Sequence, residues 1–162
     1  MTSYYPPGAF SFSVWIDGAA GVDAGFAEVS GLSSEWEVVE LREGGVPAAH
    51  QVPGRVKVGP LSMSRGLMLA PSPLFAWCTE VLESTLSKPI TPRDITVALL
   101  GPEGLPLIAW NVVRAWPMRW TIDPFKADQS AVAMEKIEFA CSEVTRTVVT
   151  PLPRGGLAAH AG

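Results

Sequence analysis

Leu105-Pro106-Leu107-Ile108-Ala109-Trp110-Asn111-Val112-Val113-Arg114-Ala115-Trp116-Pro117-Met118-Arg119-Trp120-Thr121-Ile122 is the stretch that decides the fold. Its β-branched and aromatic residues read as strand, and it is too long and too apolar for a loop. In alternation, Trp110, Val112, Arg114 and Trp116 point one way and Ala109, Asn111, Val113 and Ala115 the other. Neither set is cleanly polar, so both faces are expected to meet protein. Pro117 cannot donate to a sheet ladder and marks a bend at residues 115–117. Beyond it Met118, Trp120 and Ile122 alternate with Arg119 and Thr121. A long, two-sided, bent strand is a device by which a sheet curls into a barrel.

Outward from that stretch, Gly101-Pro102-Glu103-Gly104 is a turn. It joins the long strand to another at residues 94–100, with Ile95, Val97 and Leu99 on one face, so the two form an antiparallel hairpin. Phe10, Phe12, Val14 and Ile16 alternate with Ser11, Ser13 and Trp15 in a first strand. Asp17-Gly18 and Gly21 turn the chain into a second strand at residues 25–30. Residues 35–42 alternate with a slip between Val38 and Val39 that suggests a bulge. Residues 61–66 and 131–144 complete the strands; the latter slips in phase between Met134 and Ile137. The one helix is capped by Ser72, with Pro73 at its first position. Leu74, Trp77, Cys78, Val81 and Leu82 form its apolar face, and it ends before Pro89. Cys141 and Trp77 both read as core.

Residues 43–59 differ in kind. They hold Gly44, Gly45, Pro47, Pro53, Gly54 and Gly59 around His50, and they read as a projecting loop or long hairpin arm that contacts another subunit. The 162 residues suit one domain, residues 1–150, followed by a disordered Pro-, Gly- and Ala-rich tail at 151–162. The fold class is therefore mainly β: a single antiparallel β-barrel with one flanking helix and an arm.

Composition narrows the function. The net charge is −4 and the 12 Lys and Arg are scattered, so no basic stripe for sequence-specific nucleic-acid binding exists. The high apolar fraction fits either surface buried between subunits or a well-filled core. Cys78 and Cys141 have no metal or disulfide spacing. The sequence has no signal-peptide pattern and no membrane-spanning run, so synthesis in the cytoplasm is expected, with release by lysis compatible. Glu35, Glu37, Glu40 and Glu43 invite a paired-carboxylate reading, but no nucleophile or ligand spacing accompanies them. No catalytic, metal or cofactor residue is assigned.

Several segments together resemble the inner tail tube proteins of contractile-tailed phages and extracellular contractile injection systems, whose fold the type VI secretion tube protein shares. They are Phe10-Ser11-Phe12-Ser13-Val14, Gly25-Phe26-Ala27-Glu28-Val29-Ser30-Gly31-Leu32, Glu40-Leu41-Arg42-Glu43-Gly44 and Pro53-Gly54 with Lys57. Further on come Leu61-Ser62-Met63-Ser64-Arg65-Gly66, Arg93-Asp94-Ile95-Thr96-Val97, Ala115-Trp116-Pro117-Met118-Arg119-Trp120, Lys126-Ala127-Asp128 and Val132-Ala133-Met134-Glu135-Lys136-Ile137-Glu138-Phe139.

The resemblance implies rings of six copies stacked into a hollow tube inside a contractile sheath, with baseplate and spike proteins as further partners and cargo in the lumen. It assigns Glu43, Gly44, Pro47, His50, Pro53, Gly54 and Lys57 to an arm bridging subunits or rings. It makes Arg65, Gly66, Trp116, Pro117, Arg119, Trp120, Lys126 and Asp128 structural signature residues. A longer tail after Val144, a weakly charged arm and Gly59-Pro60 keep a tube-initiating ring as the alternative. A ligand-binding barrel lined by the six tryptophans is the reading from another class.

Overall fold

In this computed structural model the described residues are 10–19, 21–45, 48–67, 71–124 and 133–149. The strands are β1 (Ser11–Ile16), β2 (Val22–Phe26), β3 (Glu28–Ser30), β4 (Ser34–Leu41), β5 (His50–Val58), β6 (Leu61–Gly66), β7 (Arg93–Leu100), β8 (Pro106–Ile122), β9 (Met134–Ala140) and β10 (Glu143–Val148), with helix α1 (Pro73–Glu83) between β6 and β7. All pairings are antiparallel.

The 17-residue β8 is the spine. Its first half pairs β7 on one edge and β10 on the other, and its second half pairs β9. The sheet path runs β2-β1-β7-β8-β9-β6-β3 with β10 beside β8, while β4 and β5 form a sheet of their own. The path is open at β2 and β3, so the ladders give antiparallel sheets rather than a closed barrel.

β8 is irregular on both sides of the bend expected at residues 115–117. Arg114 takes a positive φ of 55°. Three residues of β8 there oppose two of β7, because Ile95 faces Val112 while Arg93 faces Ala115. The Asp94 carboxylate accepts the Arg114 N–H at 3.0 Å and holds this bulge. The inward set therefore changes from Val112 to Ala115 and Pro117, all buried. A second irregularity between Pro117 and Arg119 turns Trp120 toward the core. Pro117 is tolerated because β7 has already left that edge of β8 by Ala115.

Leu61, Met63, Ile95, Val97, Val112, Ile137 and Phe139 are fully buried and form the core with Val14, Phe26 and the inner face of α1. Ser72 caps α1 and Pro73 opens it, as the sequence predicts. Trp77 is buried and stacks on Phe139 at 5.7 Å. Leu82, placed on the apolar face, is instead exposed. The second strand is broken at Ala27 into β2 and β3. The last strand is broken at Cys141-Ser142 into β9 and β10.

Candidate functional site: the buried latch and the arm

Two regions stand out, one sealed and one open. The sealed one begins at Arg65 on β6, which lies directly opposite Glu135 on β9. Both point inward. Arg65 donates from Nε to Glu135 at 2.7 Å and from Nη1 to Asp23 of β2 at 3.1 Å, and these side chains are all but inaccessible. Its Nη2 donates to the Ser72 hydroxyl at 3.0 Å, and its guanidinium lies over the Phe26 ring at 4.7 Å. Ser72 in turn donates to Asp23.

The other Asp23 oxygen accepts the Leu74 N–H at 2.9 Å, while Ser72 accepts that of Phe75 at 3.1 Å. The first turn of α1 has no acidic residue of its own. Asp23, from a distant strand, supplies the anion that a helix N-terminus favours. One guanidinium thus ties β2, β6, β9 and the helix together. A charge buried this deeply is tolerable only when it is paired and hydrogen-bonded.

The sequence pattern marks Arg65 but not Asp23 or Glu135. The signal for Glu135 was present: Glu135, Ile137 and Phe139 share one parity, so no phase slip is needed in β9. Nearby Trp120 donates to the other Glu135 oxygen at 3.4 Å. Cys78 is buried, and burial first, then Asp23 and Glu135, push its thiol up to about 12. Burial also raises the Cys141 thiol. Both are free cysteines.

The open region is the arm. It is larger than residues 43–59, because β4, read as an ordinary strand, is one of its two sides. Residues 50–58, read as part of a loop, are its other side. The arm continues the β3–β6 pair: β4 follows β3 and β5 precedes β6. The joint is Gly31 against Pro60. Gly31 has φ +84°, and a Cβ there would lie 1.9 Å from the Pro60 oxygen, so only glycine fits. Pro60 thus belongs to the joint rather than to a strand.

The slip expected between Val38 and Val39 is absent: β4 alternates without a break, and the register shift lies between Trp36 and Val38, with the extra residue in β5. Trp36 faces Val56 and Val38 faces Pro53, so three steps of β5 oppose two of β4. Gly54 sits in that bulge, where a Cβ would come within 2.9 Å of Val39.

The arm has no core. Trp36 and Val38 are 61% exposed, Leu41 51% and Val56 49%. Glu43 and Gly44 lie exposed past the end of β4; His50 faces Leu41 and Lys57 faces Glu35 across the ladder. Pro47, Lys126 and Asp128, and the tail at 151–162, lie outside the described residues. The four arm glutamates make no ligand cluster: Glu37 pairs with Arg55 at 3.8 Å and Glu40 with Arg42 at 3.7 Å. Among the described residues no group of three metal-ligating side chains converges, and no helix is long and apolar enough to cross a membrane.

The remaining signature residues do not converge on one point. Gly66 ends β6 opposite Met134. Trp116 is 37% exposed, Pro117 is buried, and Arg119 meets Glu138 at 3.7 Å on the outer face. The six tryptophans are equally spread. Trp36 stands on the arm, Trp15 and Trp116 on the surface, Trp77 in the core, and Trp110 and Trp120 at its margin. They line no common cavity.

Solved structures share this architecture. A chain of the anti-feeding prophage baseplate, determined by cryo-electron microscopy with 6-fold symmetry, superposes with a TM-score of 0.70 at 25% identity, covering 93% of this chain and 100% of that one. A chain of the sheath-tube complex of the PVC extracellular contractile injection system, in the extended state, gives 0.68 at 26% identity, covering 91% and 94%. Hcp1 from Salmonella typhimurium gives 0.51 at 18% identity over 87% of each chain, a likeness of fold. No curated protein sequence matches significantly. The family described as T4-like virus tail tube protein gp19 matches residues 8–145, and this chain belongs to it.

Proposed function

We propose that this chain is a structural subunit of the inner tube of a contractile injection particle, closing into rings of six copies that stack into a hollow conduit within a sheath. The observation that carries the reading is the arm: a two-stranded ribbon, apolar on its surface, without a core of its own. Such a hairpin is marginal alone in water. Exposed apolar side chains of this density mark an interaction surface. Ring contacts are heterologous, closing around the ring and staying open along the axis.

Residues 1–150 form the tube domain and 151–162 a tail. Within the tube domain the sheet curls into a barrel. β2 and β3 end the sheet path on opposite sides yet are separated only by Ala27, whose N–H donates to the Ser64 carbonyl at 3.0 Å. That single bond supports closure. Glu43, Gly44, Pro47, His50, Pro53, Gly54 and Lys57 serve the arm. Arg65, Gly66, Trp116, Pro117, Arg119 and Trp120 serve the body, together with Lys126 and Asp128. The role is mechanical, without catalysis, and the outer partners are sheath subunits and the baseplate.

The likeness to a baseplate chain over its whole length favours a second reading, a tube-initiating ring on the spike. Negative-stain electron microscopy of the purified chain separates the two. Stacked tubes with a central hole support the tube subunit. Single rings that do not stack at high concentration support the initiator. A monomer of ordinary globular shape would defeat both.

A further inference from the structure

We propose that Glu138 is the residue that keeps the wall of the conduit from holding polyanions; this rests on the tube reading above. Glu138 belongs to a wholly polar face. β3, β6, β9 and the second half of β8 set two rows side by side on their outer surface. Ser30, Ser62, Glu138 and Arg119 form one, and Glu28, Ser64, Lys136 and Thr121 the other. All eight are at least partly exposed and none is apolar. The residues between the rows, Val29, Met63, Ile137 and Trp120, turn to the core instead.

Such a surface gives a protein partner nothing apolar to bury, so it is a face that stays in water. The other side of this sheet is covered by α1, where Phe75 meets Trp120 and Trp77 meets Phe139. That helix and the turn beyond it still expose Phe75, Leu82 and Leu86. In a tube held inside a sheath, the side with apolar contacts to offer turns outward, and the hydroxyl-rich side turns to the lumen.

The two cations of the rows are Arg119 and Lys136. Glu138 lies between them, with one carboxylate oxygen 3.7 Å from Arg119 and the other 3.7 Å from Lys136. Arg119 and Lys136 are 68% and 50% exposed, so these pairs contribute little to stability. What they set is the field over the wall. With Glu138 in place, both positive charges are met within the chain. Without it, two neighbouring cations in every copy, repeated around each ring, make a binding surface for a polyanion. The other acids here, Glu28 and Asp123, line a shallow pocket with Lys136 and leave the wall weakly negative.

The test compares tubes of the wild-type chain, Glu138→Gln, Glu138→Lys and Glu80→Lys, the last an equal change of charge at an exposed position of α1. Each is assembled at low salt with a fluorescent single-stranded oligothymidylate and pelleted. The retained DNA is measured before and after treatment with a nuclease fixed to beads too large to enter a tube. Wild-type tubes are expected to retain only background amounts. Retention should rise several-fold in Glu138→Gln and about tenfold or more in Glu138→Lys, survive the nuclease, and vanish at high salt. DNA held by Glu80→Lys tubes should be digested. The proposal is overturned, with the tube reading intact, if wild-type tubes retain as much DNA as Glu138→Lys tubes, or if neither Glu138 variant retains more than wild type. It is equally overturned if DNA on Glu138→Lys tubes is digested as readily as DNA on Glu80→Lys tubes. A wild-type chain that forms no tubes at high concentration would defeat the tube reading, and this proposal with it.

Discussion

The latch around Arg65 and the arm around Trp36 are opposite solutions to the same problem. In the latch, charged groups are buried and each nitrogen of one guanidinium donates to a partner inside the chain. In the arm, apolar groups are exposed and none of the described residues covers them. The first region completes itself on folding. The second, on the proposed tube reading, is completed by neighbouring copies. The two regions lie at opposite ends of the same strand pair, since β6 carries Arg65 and leads back through Pro60 into the arm.

The contrast is tested first at its stronger pole. Arg65→Met leaves Asp23 and Glu135 buried without their cation, and it should lower the stability of the isolated chain by about 3–5 kcal/mol, read by denaturant unfolding. A loss below about 1 kcal/mol would show that the latch is not what fastens α1 to the sheet. Gly31→Ala comes next. The left-handed backbone alone costs about 1–2 kcal/mol with a side chain, and the overlap with Pro60 adds to it. Assembly should suffer more than the body, because the joint aims the arm.

Asp94→Ala, which frees the Arg114 N–H in the β8 bulge, should cost roughly 1 kcal/mol. At the weak pole, Trp36→Ser should leave monomer stability within about 0.5 kcal/mol of wild type while reducing tube formation, followed by light scattering. Equal loss of stability from Trp36→Ser and Arg65→Met would erase the distinction between the two regions.

The smallest effect concerns the thiols. Cys78 has its value raised from 9.0 to about 12. The folded chain thus holds the proton that the unfolded chain releases first. This site's contribution to stability is complete below pH 9.0 and is lost as pH rises toward about 12. Cys78→Ala should flatten that alkaline loss. In the folded chain Cys141, only partly buried, should react with a maleimide faster than Cys78.

The sequence is legible where pattern is local. Period-2 alternation finds β1, β6, β7 and β8, a Ser-Pro start finds α1, and Gly-rich turns find the β7–β8 hairpin. It is less legible where long-range pairing decides. Asp23 lies in a stretch that reads as a polar turn, yet it is buried because β6 brings Arg65 and α1 brings an unsatisfied N-terminus to it. Pro117 draws attention as the bend, while the bulge at Arg114, with its positive φ, leaves no mark in composition.

The arm shows the same limit. Its Gly- and Pro-rich segment is visible, but residues 34–41 look like any strand until their pairing with residues 50–58 is known. The exposure of Trp36 is likewise invisible to hydropathy, which places a tryptophan inside.

Amide hydrogen exchange, compared between the dissociated subunit and the assembled tube, tests the central claim most directly. The account predicts that amides of Ser34–Leu41 and His50–Val58 exchange rapidly in the free subunit and become strongly protected on assembly. Those of β6, β7 and β9, already part of a finished core, should change little. Arm amides as protected in the free subunit as in the tube, or still unprotected in the tube, would contradict the idea that this arm is completed by its neighbours.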